Sequence, residues 1–121
     1  MYIEEAIGVL RKRPGMVVSK KTIEHIYYFI SGSCFAGQYL ECDEMDKMFS
    51  SWFGEWLLQW VKENMDAQYK PATSYWYMDI KEIAGGAEKE VPLFLDLCEN
   101  FFDDYKNRRG YFEDFPLVKA E

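Results

Sequence analysis

Carboxylates are the most plentiful reactive groups in this chain and imidazole is the scarcest. Twenty-one Asp and Glu stand against a single histidine, His25, and three cysteines, Cys34, Cys42 and Cys98. Two carboxylates on one helix face can act as general acid and base, the arrangement of a glycosidase. Asp96 with Glu99, and Glu99 with Asp103, have the three- and four-residue spacing that shares a face. Asp103 and Asp104 are adjacent and point in different directions on a helix. In so acidic a chain such pairs arise by chance, and a solvated face is the simpler reading. His25 would need cysteines or carboxylates for nearly every other ligand of a metal site. A structural role is expected for it, with no metal and no cofactor. The cysteines form no CxxC pair and are odd in number, which reads as reduced thiols in a cytoplasmic protein. Cys34 and Cys98 lie among apolar neighbours, whereas a reactive thiolate wants a basic or helix N-terminal setting. No GxSxG, P-loop, GxGxxG or HExxH string is present, and Gly85-Gly86 reads as a turn. Trp52, Trp56 and Trp60 form a row at four-residue spacing, suited to core packing before a ligand platform. No catalytic residue is expected, and the chain reads as a non-enzyme.

The elements that would position these groups belong to one domain, residues 1–121, with 49% apolar and 18% aromatic residues to build a core. No run of about 18 apolar residues predicts a membrane span. Met1-Tyr2-Ile3-Glu4-Glu5 lacks the basic flank and apolar stretch of a signal peptide. The net charge of −7 argues against direct nucleic-acid binding, which needs a basic surface. Charge is also uneven. Arg11, Lys12, Arg13, Lys20 and Lys21 fall close together, and from residue 22 onward nine basic residues face nineteen acidic ones. The basic group reads as a charge bias at a helix C-terminus.

Apolar spacing is mostly helical. Ile3, Ala6, Ile7 and Leu10 predict a short first helix ending before Pro14-Gly15. A second helix is expected over residues 20–41, capped by Ser19 or Thr22. Its apolar residues spread around most of the circumference, which predicts a central place in a bundle. A third helix is expected over residues 45–66. Residues 74–80 stay open between a β or irregular segment and a short helix, because Tyr75-Trp76-Tyr77 favours a strand while Trp76, Ile80 and Ile83 fit a helix. A last helix carries Val91, Phe94, Leu95, Cys98, Phe101, Phe102 and Tyr105, with Pro92 in its first turn. It is expected to end at residues 107–110, before a tail with Tyr111, Phe112, Phe115 and Leu117 that packs back. The expected fold is therefore mainly α: a single-domain bundle of about five helices around the second and third.

Arg13-Pro14-Gly15-Met16 followed by Lys20-Lys21-Thr22-Ile23 opens a longer pattern. An aromatic helix follows at Phe29-Ile30-Ser31-Gly32-Ser33-Cys34-Phe35-Ala36. A Phe/Trp-rich helix comes next at Phe49-Ser50-Ser51-Trp52-Phe53-Gly54-Glu55-Trp56-Leu57. A Phe/Leu-rich helix closes the pattern at Phe94-Leu95-Asp96-Leu97-Cys98-Glu99-Asn100-Phe101-Phe102. Over residues 3–105 the chain resembles small bacterial immunity proteins of contact-dependent growth inhibition and other polymorphic toxin systems. It departs from them at Val17-Val18-Ser19, where similar sequences carry an aromatic and a glycine. The resemblance implies a cytoplasmic protein that binds and neutralises one cognate toxin domain, and it carries over no catalytic residue. A nuclease toxin would have a basic cleft, and an acidic inhibitor gains association rate from long-range attraction. The partner surface is accordingly expected on two acidic stretches: Glu41, Asp43, Glu44 and Asp46 between the central helices, and Glu99, Asp103 and Asp104 late in the last helix. The alternatives are a small carboxylate-dependent hydrolase, which needs two buried acids in a cleft, or a regulatory or scaffold subunit. The latter would display an exposed apolar patch, expected at Tyr111, Phe112 and Phe115.

Overall fold

The computed structural model describes residues 2–13, 22–39, 44–71 and 75–107, with backbone alone for residues 33–39. Five helices are present among the described residues: α1 (Ile3–Lys12), α2 (Ile23–Tyr39), α3 (Glu44–Asn64), α4 (Trp76–Ala84) and α5 (Ala87–Asn107). The mainly α bundle expected from the apolar periodicity is the observed architecture. The segment left open, residues 74–80, resolves from Trp76 onward as the start of α4, with Ile80 wholly buried. Aromatic β propensity yields here to tertiary packing: Trp76 lies flat on Phe94 of α5, centroids 5.0 Å apart and planes 2° from parallel.

Local sequence explains the ends. Arg13 leaves helical geometry at φ −144°, ψ 71°, in keeping with the general steric bias against the α region for a residue that precedes proline. Thr22 is the cap of α2: the His25 N–H donates to Thr22 Oγ1 at 3.3 Å, while Oγ1 and His25 Nδ1 share a hydrogen bond at 2.6 Å. Gly85, at φ +76°, ends α4 in the left-handed region that side-chain-bearing residues avoid, and α5 begins two residues later. That early start corrects the expected position of Pro92. It lies inside α5, in the second turn, where its missing N–H leaves the Glu88 carbonyl without its intrahelical partner. The first turn, Ala87–Glu90, carries no apolar stripe and so left no periodic signal.

The axis of the bundle is α3 against α5, each packed on all the other helices, and not α2 with α3. Phe49 and Phe53 stack at 4.5 Å, and Phe101 meets Phe49, Phe53 and Trp56 edge-on at 5.5–5.7 Å. Such pairs add about 0.5–1.5 kcal/mol each beyond the area they bury. α1 covers one side of this axis by burying Ile3, Ala6, Ile7 and Leu10 against α3 and α5. α2 and α4 cover the other side. Ile23, Ile26 and Ile30 of α2 point inward, but Tyr28 is 65% exposed. The wide apolar character of α2 therefore reflects an aromatic outer face, not full burial. No helix among the described residues is long and apolar enough to cross a membrane.

Candidate functional site

The expected partner residues divide sharply. Glu41 and Asp43 lie outside the described residues. Glu44 is exposed at the first position of α3. Asp46 is buried, which corrects its expected place on a solvent-facing loop. Its Oδ1 accepts the Ile3 N–H at 2.6 Å, capping α1 from across the bundle where Tyr2 offers no side-chain cap. On α5, Asp104 is half-buried and its Oδ2 accepts the Trp56 indole N–H at 2.9 Å. The expectation that it points to solvent is overturned. A buried indole needs an acceptor, and Asp104 stands beside it. Glu99 is exposed but accepts from Arg11 Nε at 3.0 Å, beside the Arg11–Asp96 contact at 2.9 Å. These carboxylates, the Asp96 hydrogen bond foremost, hold the Arg11 guanidinium protonated above its ordinary value, against a smaller cost of burial. Asp103 is exposed. The acidic face of α5 is thus partly neutralised by α1, whose Glu4 also receives Lys106 at 2.6 Å. The basic bias at the end of α1 is present as Arg11 and Lys12; Lys20, Lys21 and the tail residues Tyr111, Phe112 and Phe115 lie outside the described residues.

Other groups bring chemistry together. A cleft of about 380 Å³ opens between α2, α3 and α4. Tyr27 of α2, Ser51, Gly54 and Glu55 of α3, and Trp76 and Asp79 of α4 are among the residues that line it. Tyr27 and Trp76 meet edge-on at 4.9 Å. Asp79 is only 7% exposed, and the Tyr69 phenol O–H donates to its Oδ1 at 2.7 Å. Burial pushes the Asp79 carboxyl above the usual range and the Glu82 charge adds to this, while the Tyr69 hydrogen bond pulls the other way. The same burial, with that hydrogen bond to Asp79, raises the Tyr69 phenol far above its ordinary value. Glu55, at the mouth, is exposed. Among the described residues the cleft is lined by one buried carboxylate, Asp79, and one exposed carboxylate, Glu55.

Around the cleft lies a cluster of tyrosines. Tyr27 packs on Tyr28 at 5.3 Å and on Tyr77 at 4.6 Å, and Tyr75 stands 6.0 Å from Tyr77. Tyr28, Tyr75 and Met78 are 65%, 52% and 36% exposed. Among the described residues Tyr2, at the start of α1, is exposed as well, but the exposed aromatics that neighbour one another are those of the α2–α4 face. Sequence reasoning did not single out Tyr27, Glu55, Tyr69 or Asp79. One signal was available: Tyr27-Tyr28 and Tyr75-Trp76-Tyr77 are consecutive aromatics, and helical steps of 100° cannot bury all of them.

Among the described residues the remaining reactive groups serve the fold; Cys42 and the Cys34 side chain lie outside them. Trp52 and Trp56 are buried and Trp60 half-buried, so the tryptophan row packs into the core as expected. Cys98 is wholly buried, and burial raises its thiol well above the ordinary value. His25 is exposed and engaged with Thr22. No three His, Cys, Asp or Glu side chains converge as a metal site among the described residues. Compared with protein-family profiles, curated proteins and solved structures, the chain matches none.

Proposed function

We propose that this chain is an immunity protein, which binds the toxin domain of a bacterial contact-dependent growth inhibition or related polymorphic toxin system and neutralises it in the cytoplasm. The observation that supports this reading best is the α2–α4 face. There, exposed Tyr28, Tyr75 and Met78 border a cleft with Glu55 and Asp79 on a chain of net charge −7. Tyrosine and methionine area on a surface is the material of protein recognition, since a few aromatic anchors carry most of an interface's affinity. The pattern of residues 3–105 supplies the family resemblance. A toxin that cuts nucleic acid needs a basic cleft, and an acidic inhibitor is drawn to it and covers it without chemistry of its own. Of the described acids in the two original stretches, Glu44, Glu99 and Asp103 are exposed, as such a contact requires, while Asp46 is buried and Asp104 half-buried.

The test is growth protection. The genes beside this one are searched for a toxin domain, which is then expressed with and without the chain. Survival only with the chain present, and co-elution of the pair on gel filtration, is the expected result. Equal killing in both cases would overturn the reading. Reversing Glu44 and Asp103 together is expected to slow association at low salt by about three- to tenfold, the size of an electrostatic steering effect.

A further inference from the structure

We infer that the cleft between α2, α3 and α4 is a receptor for an arginine side chain of a basic protein partner, with Tyr27 and Trp76 as its aromatic lining and Glu55 and Asp79 as its carboxylates. The inference deepens the proposed function, because it names the group that the toxin domain would insert.

Three features of the cleft point to this guest. The first is charge. Both charged side chains that line it among the described residues are acidic, and they come from different helices, Glu55 from α3 and Asp79 from α4. The nearby cation of α4, Lys81, is ion-paired with Glu24 of α2 and does not line the cleft. The second is shape and wall chemistry. A guanidinium is planar and weakly hydrated, and it stacks on aromatic faces where an ammonium stays in water. Tyr27 and Trp76 line the cleft side by side, 4.9 Å apart, and one face of Trp76 is held flat on Phe94, so the aromatic lining is fixed in place. The third is the buried carboxylate. Asp79 Oδ1 is held by the Tyr69 phenol, which fixes the carboxylate, while a carboxylate has acceptor capacity for further donors. Small Ser51 and Gly54 leave room on the α3 side. The exposed Tyr28, Tyr75 and Met78 then provide contact area around the inserted group. An apolar guest would gain nothing from Asp79 and Glu55, and an anionic guest would be repelled.

The experiment separates the cleft from the toxin reading. The whole chain, labelled with 15N, is titrated with N-acetyl-arginine methylamide, and in parallel with the lysine and norleucine analogues. Saturable shifts from the arginine probe at the Trp76 indole and at the amides of Ser51, Gly54, Glu55 and Asp79, weaker with lysine and absent with norleucine, are expected. Glu55→Gln is expected to weaken the arginine probe about fivefold, as loss of one exposed charge partner does. Ser51→Trp, on an exposed position of α3, is expected to fill the cleft and abolish the shifts while the spectrum stays folded. Equal response to norleucine, or an arginine response that survives Ser51→Trp, would overturn the inference. If the toxin domain is neutralised and neither Glu55→Gln nor Ser51→Trp weakens its binding, the cleft assignment fails while the immunity reading stands. If the probe binds as described but the chain gives no protection, the reverse holds.

Discussion

The two sides of the α3–α5 axis use the same kinds of residue for different ends. On the α1 side, carboxylates are spent on structure. Asp46 caps α1 through the Ile3 N–H, and Asp96 and Glu99 hold Arg11. Within the axis itself, Asp104 satisfies the Trp56 indole. On the α2–α4 side, aromatics reach the surface and a cleft keeps one carboxylate within and one at its mouth. The contrast teaches that acidity alone does not mark a binding face. A carboxylate within reach of an unsatisfied N–H or a guanidinium is drawn into the fold, whatever its place in the sequence.

The comparison can be broken at its strongest point first. Trp56→Ala removes a wholly buried ring between Phe53 and Phe101 together with the indole N–H that Asp104 accepts; a loss of about 3–5 kcal/mol is expected in urea unfolding. Asp46→Ala is next. It leaves the N-terminus of α1 without its cross-bundle cap, and a loss of about 1–3 kcal/mol is expected, with Asp46→Asn losing less because an amide oxygen still accepts. If Asp46→Ala unfolds like wild type, the α1-side acids are not structural and the contrast collapses. On the other side, Tyr28→Ser is expected to change stability by no more than about 0.5 kcal/mol, as exposed positions do. It should nevertheless weaken the toxin complex severalfold in a titration.

The smallest effect concerns pH and sharpens the distinction. Burial holds the Asp79 carboxyl above the usual range, so the folded chain keeps that proton to higher pH than the unfolded chain. Its contribution to stability is then fullest in acid and declines as pH rises from the unfolded value of about 4 through the raised folded one. Asp79→Asn keeps an acceptor for the Tyr69 phenol and removes the charge. The variant should match wild type near pH 3 and become relatively more stable toward pH 7, by urea midpoints measured across that range. A variant that instead loses ground toward neutral pH would mean that the ionised carboxylate stabilises the native chain.

How far the sequence reaches differs between fold and site. The apolar periodicity of α1, α3 and α5 was legible because each presents a continuous stripe: Ile3/Ala6/Ile7/Leu10 in α1, Phe49/Trp52/Phe53/Trp56 in α3, and Phe94/Cys98/Phe101/Phe102 in α5. The cap Thr22 and the stop at Gly85 were legible too, since hydroxyl capping and positive φ are local requirements. The start of α5 was not, because Ala87–Glu90 buries nothing and is held by the helix it begins. Nor was the identity of the central helices. Periodicity says that a face is apolar, and not which neighbour covers it.

By itself, then, the sequence determined that this chain is helical, acidic and free of the familiar catalytic motifs, because those properties follow from composition and from spacing within one segment. Only the tertiary structure decided which acids face solvent and which are engaged by the fold. Asp46 meets the amide of Ile3 across 43 residues and Asp104 meets Trp56 across 48. The cleft likewise draws on Tyr27, Glu55 and Asp79, one from each of three helices. A hydrogen bond or a cavity depends on distance in space. Residues so far apart along the chain acquire that distance only when α3 and α5 pack and carry the other helices to their places.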